Sequence, residues 1–272
     1  MPHIKRLTSL SLALPLALAT FTSACQKSAP ASSPDAPETN AKTAELAAPQ
    51  VTAQTEAKAP LELKVSLAAI ANNAVIPADN AFCVEDGKGK AGLGANKSPE
   101  VSWEGAPEGT KSFVLLAVDP DVPSKADDVN KEGKSVSKDL PRVDFYHWVL
   151  VNIPASVNKI EAGAESDKVT PKGKPAGEHA YGVRGLNNYG DWFSGDKDMG
   201  GEYFGYDGPC PPWNDELVHH YHFKVFALDV ETLELSGAFK APDVLKAMEG
   251  HVLAQGESVG LYKLNAQVSY TK

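Results

Sequence analysis

Four stretches of this chain are dominated by β-branched, aromatic and other apolar residues: Lys111 to Val118, Phe145 to Ile153, Tyr221 to Leu228 and Leu261 to Tyr270. Each is short and bounded by Gly, Pro or Asp, which predicts β-strands. A helical period emerges late in the chain. Pro242 suits a first turn, Val244, Leu245, Met248 and Val252 fall on one stripe, and Gly256 supplies an end, so a helix is expected there. The segment from Gly182 to Trp213, rich in Gly, Asn, Asp and aromatic residues, predicts long ordered loops, the usual carriers of binding residues. No internal repeat interrupts this pattern, and the expected class is mainly β.

A different pattern opens the chain. Lys5 and Arg6 precede an apolar stretch from Leu7 to Ala24, broken by Pro15 and closed by Thr22-Ser23-Ala24-Cys25. This layout reads as a bacterial secretion signal, and it falls short of the roughly 20 uninterrupted apolar residues of a membrane span. Small residues before a cysteine resemble a lipoprotein signal, in which residues 1–24 are removed and Cys25 becomes the lipidated first residue. With Gln26 rather than aspartate next, the anchor is expected in the outer membrane, facing the periplasm. Cleavage near Ala24 without lipid, giving a soluble periplasmic or secreted protein, is the alternative. Residues 25–60 are mostly Ala, Pro, Ser, Thr and Glu and cannot bury enough apolar surface to offset their ordering entropy, so they predict a disordered tether. Residues 61–272 then form one domain, long enough for a single substantial core.

Charge narrows the partners. Of the chain's 26 basic and 35 acidic residues, residues 1–60 hold five and four, leaving 21 and 31 in the domain, a net charge near −10. Such a balance argues against nucleic acid, whose phosphates demand clustered positive charge. It also argues against adhesion to anionic lipid surfaces, so any lipid role has to work through a local pocket. Cysteine usage adds a brace. With Cys25 lipidated, Cys83 and Cys210 remain in an oxidising compartment and are expected to pair, the alternatives being two buried thiols or a reactive Cys210.

The candidate chemistry lies in three separated segments: Asp119-Pro120-Asp121-Val122-Pro123-Ser124, then His147-Trp148 inside an apolar run, then Gly208-Pro209-Cys210-Pro211-Pro212 followed by His219-His220-Tyr221. Each sets an acid or imidazole beside a proline-stiffened or apolar stretch, as expected of parts of one pocket joined by folding. Strand alternation puts His219 and Tyr221 on one face and turns His220 and His222 to the other. Taken singly, the same groups read as a turn, a core histidine and a pinned loop.

Together these segments, with Asn96-Lys97-Ser98-Pro99 leading to Trp103, resemble the phosphatidylethanolamine-binding proteins, and within them the bacterial branch described as Raf kinase inhibitor-like. The resemblance covers nearly all of residues 61–272. It implies two antiparallel sheets with long loops and a few peripheral helices, enclosing a small anion pocket for phosphate or phospholipid headgroups. Carried over by residue, it places Asp119, Asp121 and Pro123 on one wall, His147 on the next strand, Gly208 and Pro209 on a loop, and His219 and Tyr221 opposite. Imidazole N–H and phenol O–H groups can donate to phosphate oxygens, while Asp119 is expected to orient an imidazole and keep it protonated. His220 stands where many relatives carry arginine, and the segments 125–142 and 182–208 are expanded.

Three other sites are weaker. Gly256-Glu257-Ser258-Val259-Gly260 matches a hydrolase nucleophile elbow, but its expected helix-before, strand-after context is the reverse of what that chemistry needs. Asp196-Lys197-Asp198-Met199-Gly200-Gly201 begins like a calcium loop, with Gly misplaced and Asp207 where a bidentate Glu belongs. A zinc centre from His147, His219 and an aspartate has suitable ligand types without a spacing that requires it. The expected function is therefore non-enzymatic binding of phosphate-bearing small molecules or headgroups, without metal or cofactor. The alternatives are an inhibitor module acting on a protease or signalling enzyme of the cell envelope, and a hydrolase using the Asp and His groups.

Overall fold

A computed structural model describes residues 61–270. The expectations for the signal, Cys25 and the tether fall on residues 1–60 and lie outside the described residues. In chain order the strands are β1 (Leu61–Glu62), β2 (Lys64–Leu67), β3 (Ala74–Val75), β4 (Cys83–Glu85), β5 (Ala91–Leu93), β6 (Val101–Glu104), β7 (Ser112–Pro123), β8 (Arg142–Pro154), β9 (Lys159–Ile160), β10 (Gly177–His179), β11 (Gly182–Arg184), β12 (His219–Leu228) and β13 (Val252–Tyr262). Two short helices accompany them, α1 (Tyr189–Trp192) and α2 (Ala241–Ala247).

The main sheet has eight strands in the order β1-β13-β12-β7-β8-β11-β10, with β3 also along β13. Its centre is antiparallel, and only β1 and β3 run parallel to β13. A three-stranded sheet, β2-β6-β9, and a two-stranded ribbon, β4-β5, complete the β structure. The mainly β architecture expected from the sequence is thus present.

The middles of β7 and β8, Phe113 to Val118 and Trp148 to Val151, are apolar at every position because both of their faces are covered. Phe113, Leu115 and Ala117 of β7 join Trp148, Phe223, Val225 and Trp103 of β6 in one core cluster. The alternate residues Val114 and Leu116 face the other side, where Val149, Phe226, Phe239, Val244 and Met248 pack beneath α2.

The C-terminal expectations need correction. The helix ends at Ala247, Gly250 turns the chain in a left-handed conformation at φ 81°, and Val252–Tyr262 is β13. Val252 and Gly256, placed on the helix by sequence, are therefore strand residues, and the strand expected to reach Tyr270 stops at Tyr262. A side chain at Gly256 would collide with the carbonyl of Leu63, and one at Gly260 with Ile76. The two glycines that resembled a nucleophile elbow thus admit neighbouring chain, and Ser258 lies buried in mid-strand.

Candidate functional site

The Asp119-Pro120-Asp121 run lies where β7 is irregular. Asp119 is opposite Phe145 and Val122 opposite Val143, so β7 holds one more residue than β8 between these points. Pro120 has no N–H for a ladder, and the N–H of Asp121 turns back to Asp119 Oδ1 at 2.8 Å. Such a bulge re-aims side chains. On the other side of β7, pairing with β12 ends at Val118 opposite His222, so Asp119, His219 and Tyr221 lie beyond the ladder.

A cavity of about 70 Å³ opens there. One water needs about 10–15 Å³ of such space, so the cavity has room for a handful of water-sized groups. Asp119, His147, His219 and Tyr221 line it, with Val122, Pro123 and Phe145 beside them. Tyr189 and Trp192 of α1, the run Cys210-Pro211-Pro212, and Ala126, Val129 and Asn130 of the expanded segment supply the remaining walls. Of the residues expected from sequence, Asp119, Pro123, His147, His219 and Tyr221 come together. Asp121, Gly208 and Pro209 stand behind the walls. The Asp121 carboxylate binds the backbone and ring of His220, both at 2.8 Å, because the bulge turns Asp121 and strand alternation turns His220 away from the cavity. Gly208 donates to Asn96 Oδ1 and accepts from the Tyr189 hydroxyl, while the Pro209 carbonyl accepts from Cys83 N–H.

His219 is the charged centre of the site. Asp119 Oδ2 lies 2.7 Å from its Nδ1 and Asp215 Oδ2 3.2 Å from its Nε2, so both ring nitrogens face carboxylates. Burial alone pulls its pKa down, but Asp119 and then Asp215 outweigh that and raise it from 6.5 to about 9. Burial pushes the Asp119 carboxyl upward, and the charge and hydrogen bond of His219 more than reverse this, leaving it below the ordinary value. Asp215 continues the chain outward through a bidentate pair with Arg142, at 2.6 and 3.0 Å. Two anions and two cations alternate, so the set is neutral as a whole.

His147 is arranged differently. Its Nδ1 lies 2.8 Å from the carbonyl of Asp207, and the Asp207 N–H donates to the His147 carbonyl at 2.9 Å. A carbonyl can only accept, so Nδ1 carries the hydrogen and Nε2 of the neutral ring is an acceptor. That Nε2 is buried and has no partner, as is the Tyr221 hydroxyl. Burial lowers the His147 pKa against the raising effect of Asp119, and burial followed by the Asp119 charge lifts the Tyr221 phenol well above its ordinary value. The Asp207 carboxylate points elsewhere, accepting from Asn96, Asn187 and Lys174 at 2.7, 2.9 and 2.7 Å.

Two braces hold the frame. Cys83 and Cys210 are joined, with Cα atoms 4.7 Å apart, within the usual span of a disulfide. Asn214 clasps the expanded segment: it donates to the carbonyls of Asp128 and Lys134 and accepts from Asn130 N–H, and Asn130 Oδ1 accepts from Trp213 N–H. Sequence reasoning missed Asp215, Arg142, Asn130 and the supporting role of Asp207. Asp215 had one legible signal, an acid four residues before His219. The calcium-loop residue Asp196 instead caps its own turn through Asp198 and Met199 N–H. Among the described residues, no group of three or more His, Cys, Asp or Glu is arranged to hold a metal ion, and none of the helices is long and apolar enough to cross a membrane.

Comparison with known proteins places this geometry. The family model described as phosphatidylethanolamine-binding protein matches residues 66–263. An UPF0098 protein of Methanothermobacter thermautotrophicus is 35% identical over 170 residues, spanning 62% of this chain and 85% of its own. The Pyrococcus horikoshii UPF0098 protein PH1269 is 34% identical over 203 residues, covering 75% and 77%. The crystal structure of Escherichia coli YbcL, described as a new member of the mammalian PEBP family, aligns with a TM-score of 0.52 at 28% identity over 74% of this chain and 98% of its own. A putative phosphatidylethanolamine-binding protein homologue from Chlamydia trachomatis gives 0.51 at 25% identity over 74% and 97%. Because the family model spans from β2 to just past β13 and both solved structures share the fold, the chain belongs to the phosphatidylethanolamine-binding protein family.

Proposed function

We propose that this domain binds the phosphate group of small phospho-compounds or phospholipid headgroups in the cavity between β7, β8 and β12, without transforming them. The observation that carries the reading is the pair of buried, unpartnered polar atoms there, His147 Nε2 and the Tyr221 hydroxyl. A buried polar group without a partner is unfavourable by about 1–3 kcal/mol, so two in one cavity point to a ligand that satisfies them. The family's description as phosphatidylethanolamine-binding supports a phosphate-bearing ligand. The engagement of both His219 nitrogens by carboxylates and the burial of Ser258 in a strand support binding rather than catalysis.

The protein is anchored, in this reading, through a lipidated Cys25 in the outer membrane, with residues 26–60 carrying the domain into the periplasm. A second reading, docking of an envelope protein, is favoured by Trp192, 48% exposed at the cavity wall. Calorimetric titration of phosphoethanolamine into the wild type, Tyr221→Phe and His147→Ala tests the first reading. Saturable binding that weakens about tenfold or more in either variant, the loss of one hydrogen bond to a charged group, supports it. Equal affinity in all three proteins, or none in any, overturns it.

A further inference from the structure

We propose that the side chains of Lys174 and Asp207 condense into an intramolecular amide, a covalent cross-link between the segment before β10 and the loop whose Asp207 carbonyl orients His147. This cross-link would lie in the frame behind the cavity and does not depend on what the cavity binds. Lys174 Nζ is 2.7 Å from Asp207 Oδ1, and the two side chains keep only 9% and 0% of their exposure. Lysine and aspartate are seldom so far from water. Their attraction offsets the loss of hydration only when the remaining donors and acceptors are also satisfied.

The carboxyl is held from both sides. Asn96 Nδ2 donates to Oδ1 at 2.7 Å and Asn187 Nδ2 to Oδ2 at 2.9 Å. Both asparagines are themselves fixed, because Asn96 Oδ1 accepts from Gly208 N–H and Asn187 Oδ1 from Tyr189 N–H. The amine is delivered by close backbone packing. Gly173, at φ 87°, comes so near the Glu202 carbonyl that a Cβ there would collide with it, and Gly201 meets the Lys172 carbonyl in the same way. Burial raises the pKa of the Asp207 carboxyl and lowers that of the Lys174 amine, in each case against the charge of the other. Those are the directions that favour an acid and a free amine. The neighbouring buried pair, Arg184 Nε on Glu165 Oε2 at 2.7 Å, has no such outlet, since a guanidinium stays protonated.

The step balances within the pair. One proton passes from the ammonium to Oδ1, giving a neutral amine and a carboxylic acid. The Nζ lone pair then forms a bond to Cγ, and negative charge gathers on Oδ2, where the Asn187 N–H already points. The Cγ–Oδ1 bond breaks, and Oδ1 leaves as water with the acid proton and one proton from nitrogen. A secondary amide remains, and no oxidant, reductant or other reagent is consumed. In bulk water hydration favours the separate ions, but here the reaction removes two charges from the interior. Contact fixed by the fold also replaces a chance encounter.

The test is a peptide map by mass spectrometry of the purified, folded wild-type protein, reduced, denatured and digested with trypsin. The peptides Gly173–Arg184 and Asp198–Lys224 are expected as one branched species, lighter than their sum by one water, with fragment ions that place the junction at Lys174 and Asp207. Lys174→Ala and Asp207→Ala are each expected to release the two peptides separately, a readout that holds even where a variant is less stable. Two linear peptides of full mass from the wild type overturn the cross-link and leave Lys174 and Asp207 as an ion pair. Loss of water confined to an unbranched Asp198–Lys224 peptide, the signature of Asp207 closing on the Gly208 nitrogen, overturns it as well.

Discussion

On the β12 wall of the cavity, His219 is clamped between Asp119 and Asp215 and held charged, its pKa raised to about 9. On the β8 wall, His147 gives one N–H to the Asp207 carbonyl, keeps a bare nitrogen, and is driven toward neutrality by burial. Both rings are buried and both lie within stacking or edge distance of Tyr221, at 6.5 and 5.1 Å between centroids. What separates them is the partner chemistry, two carboxylates against one carbonyl. The first arrangement satisfies itself and stabilises the fold, and the second is left incomplete for something else to finish.

Each wall can be broken separately. The largest effect is expected from the Cys83→Ser, Cys210→Ser double variant, because Cys210 belongs to the same loop as Asp207, whose carbonyl orients His147. With a sequence separation of 127, loss of the cross-link is expected to cost about 4–5 kcal/mol on the chain-entropy model, read as a fall in the urea midpoint. On the other wall, Asp119→Ala leaves His219 buried beside one carboxylate and is expected to lower stability by about 3–5 kcal/mol. In that variant the His219 ring should titrate well below its wild-type midpoint by NMR; an unchanged midpoint would show that Asp119 does not hold the charge.

The pH dependence sharpens the contrast without a mutation. His219 is raised above its unfolded value, so its contribution is complete below about pH 6.5 and is lost as pH rises through about 9, on the order of 3 kcal/mol in all. His147 is lowered, so its contribution has the opposite sign: present above its unfolded value of 6.5 and lost as pH falls through its lowered one. Urea midpoints measured across this range, beside NMR titration of both rings, should show His219 losing its proton at the alkaline end and His147 gaining one only at the acid end. Coincident midpoints for the two rings would erase the distinction between the walls.

How much of this was legible in the sequence follows from which forces are local. Phe113 to Val118 reads as a strand because every position is apolar and both faces are covered, and Tyr221 to Leu228 because Tyr221, Phe223 and Val225 alternate with His222 and Lys224 before an apolar end. The face shared by His219 and Tyr221 followed from alternation alone, as the burial pattern of β12 bears out. Val252 was drawn into the helix because one helical stripe and one strand face can share a valine, and the true stop, Gly250, shows itself only through its left-handed backbone. Asp215 and Arg142 are not legible because their pairing spans 73 positions and joins a loop to the first residue of β8. The family resemblance groups Asp121 with Asp119 on one wall, yet the Asp119 to Val122 bulge sends the two carboxylates to different histidines. A bulge is a property of two paired strands, which one strand's sequence does not carry.

The smallest predicted effect is the most diagnostic. Tyr221→Phe removes one hydroxyl that is buried without a partner and is kept protonated by that burial and then by the Asp119 charge beside it. Were the hydroxyl part of the fold's own hydrogen-bond network, its loss would destabilise by about 1 kcal/mol or more. Since it has no partner, its removal relieves a buried unsatisfied group, and the variant is expected to match the wild type or exceed it by about 1 kcal/mol in urea unfolding. Its affinity for phosphoethanolamine should fall in the same preparation. Stability retained while binding is lost marks a group kept for a ligand; a Tyr221→Phe protein that is clearly destabilised would instead move this hydroxyl to the structural wall beside His219.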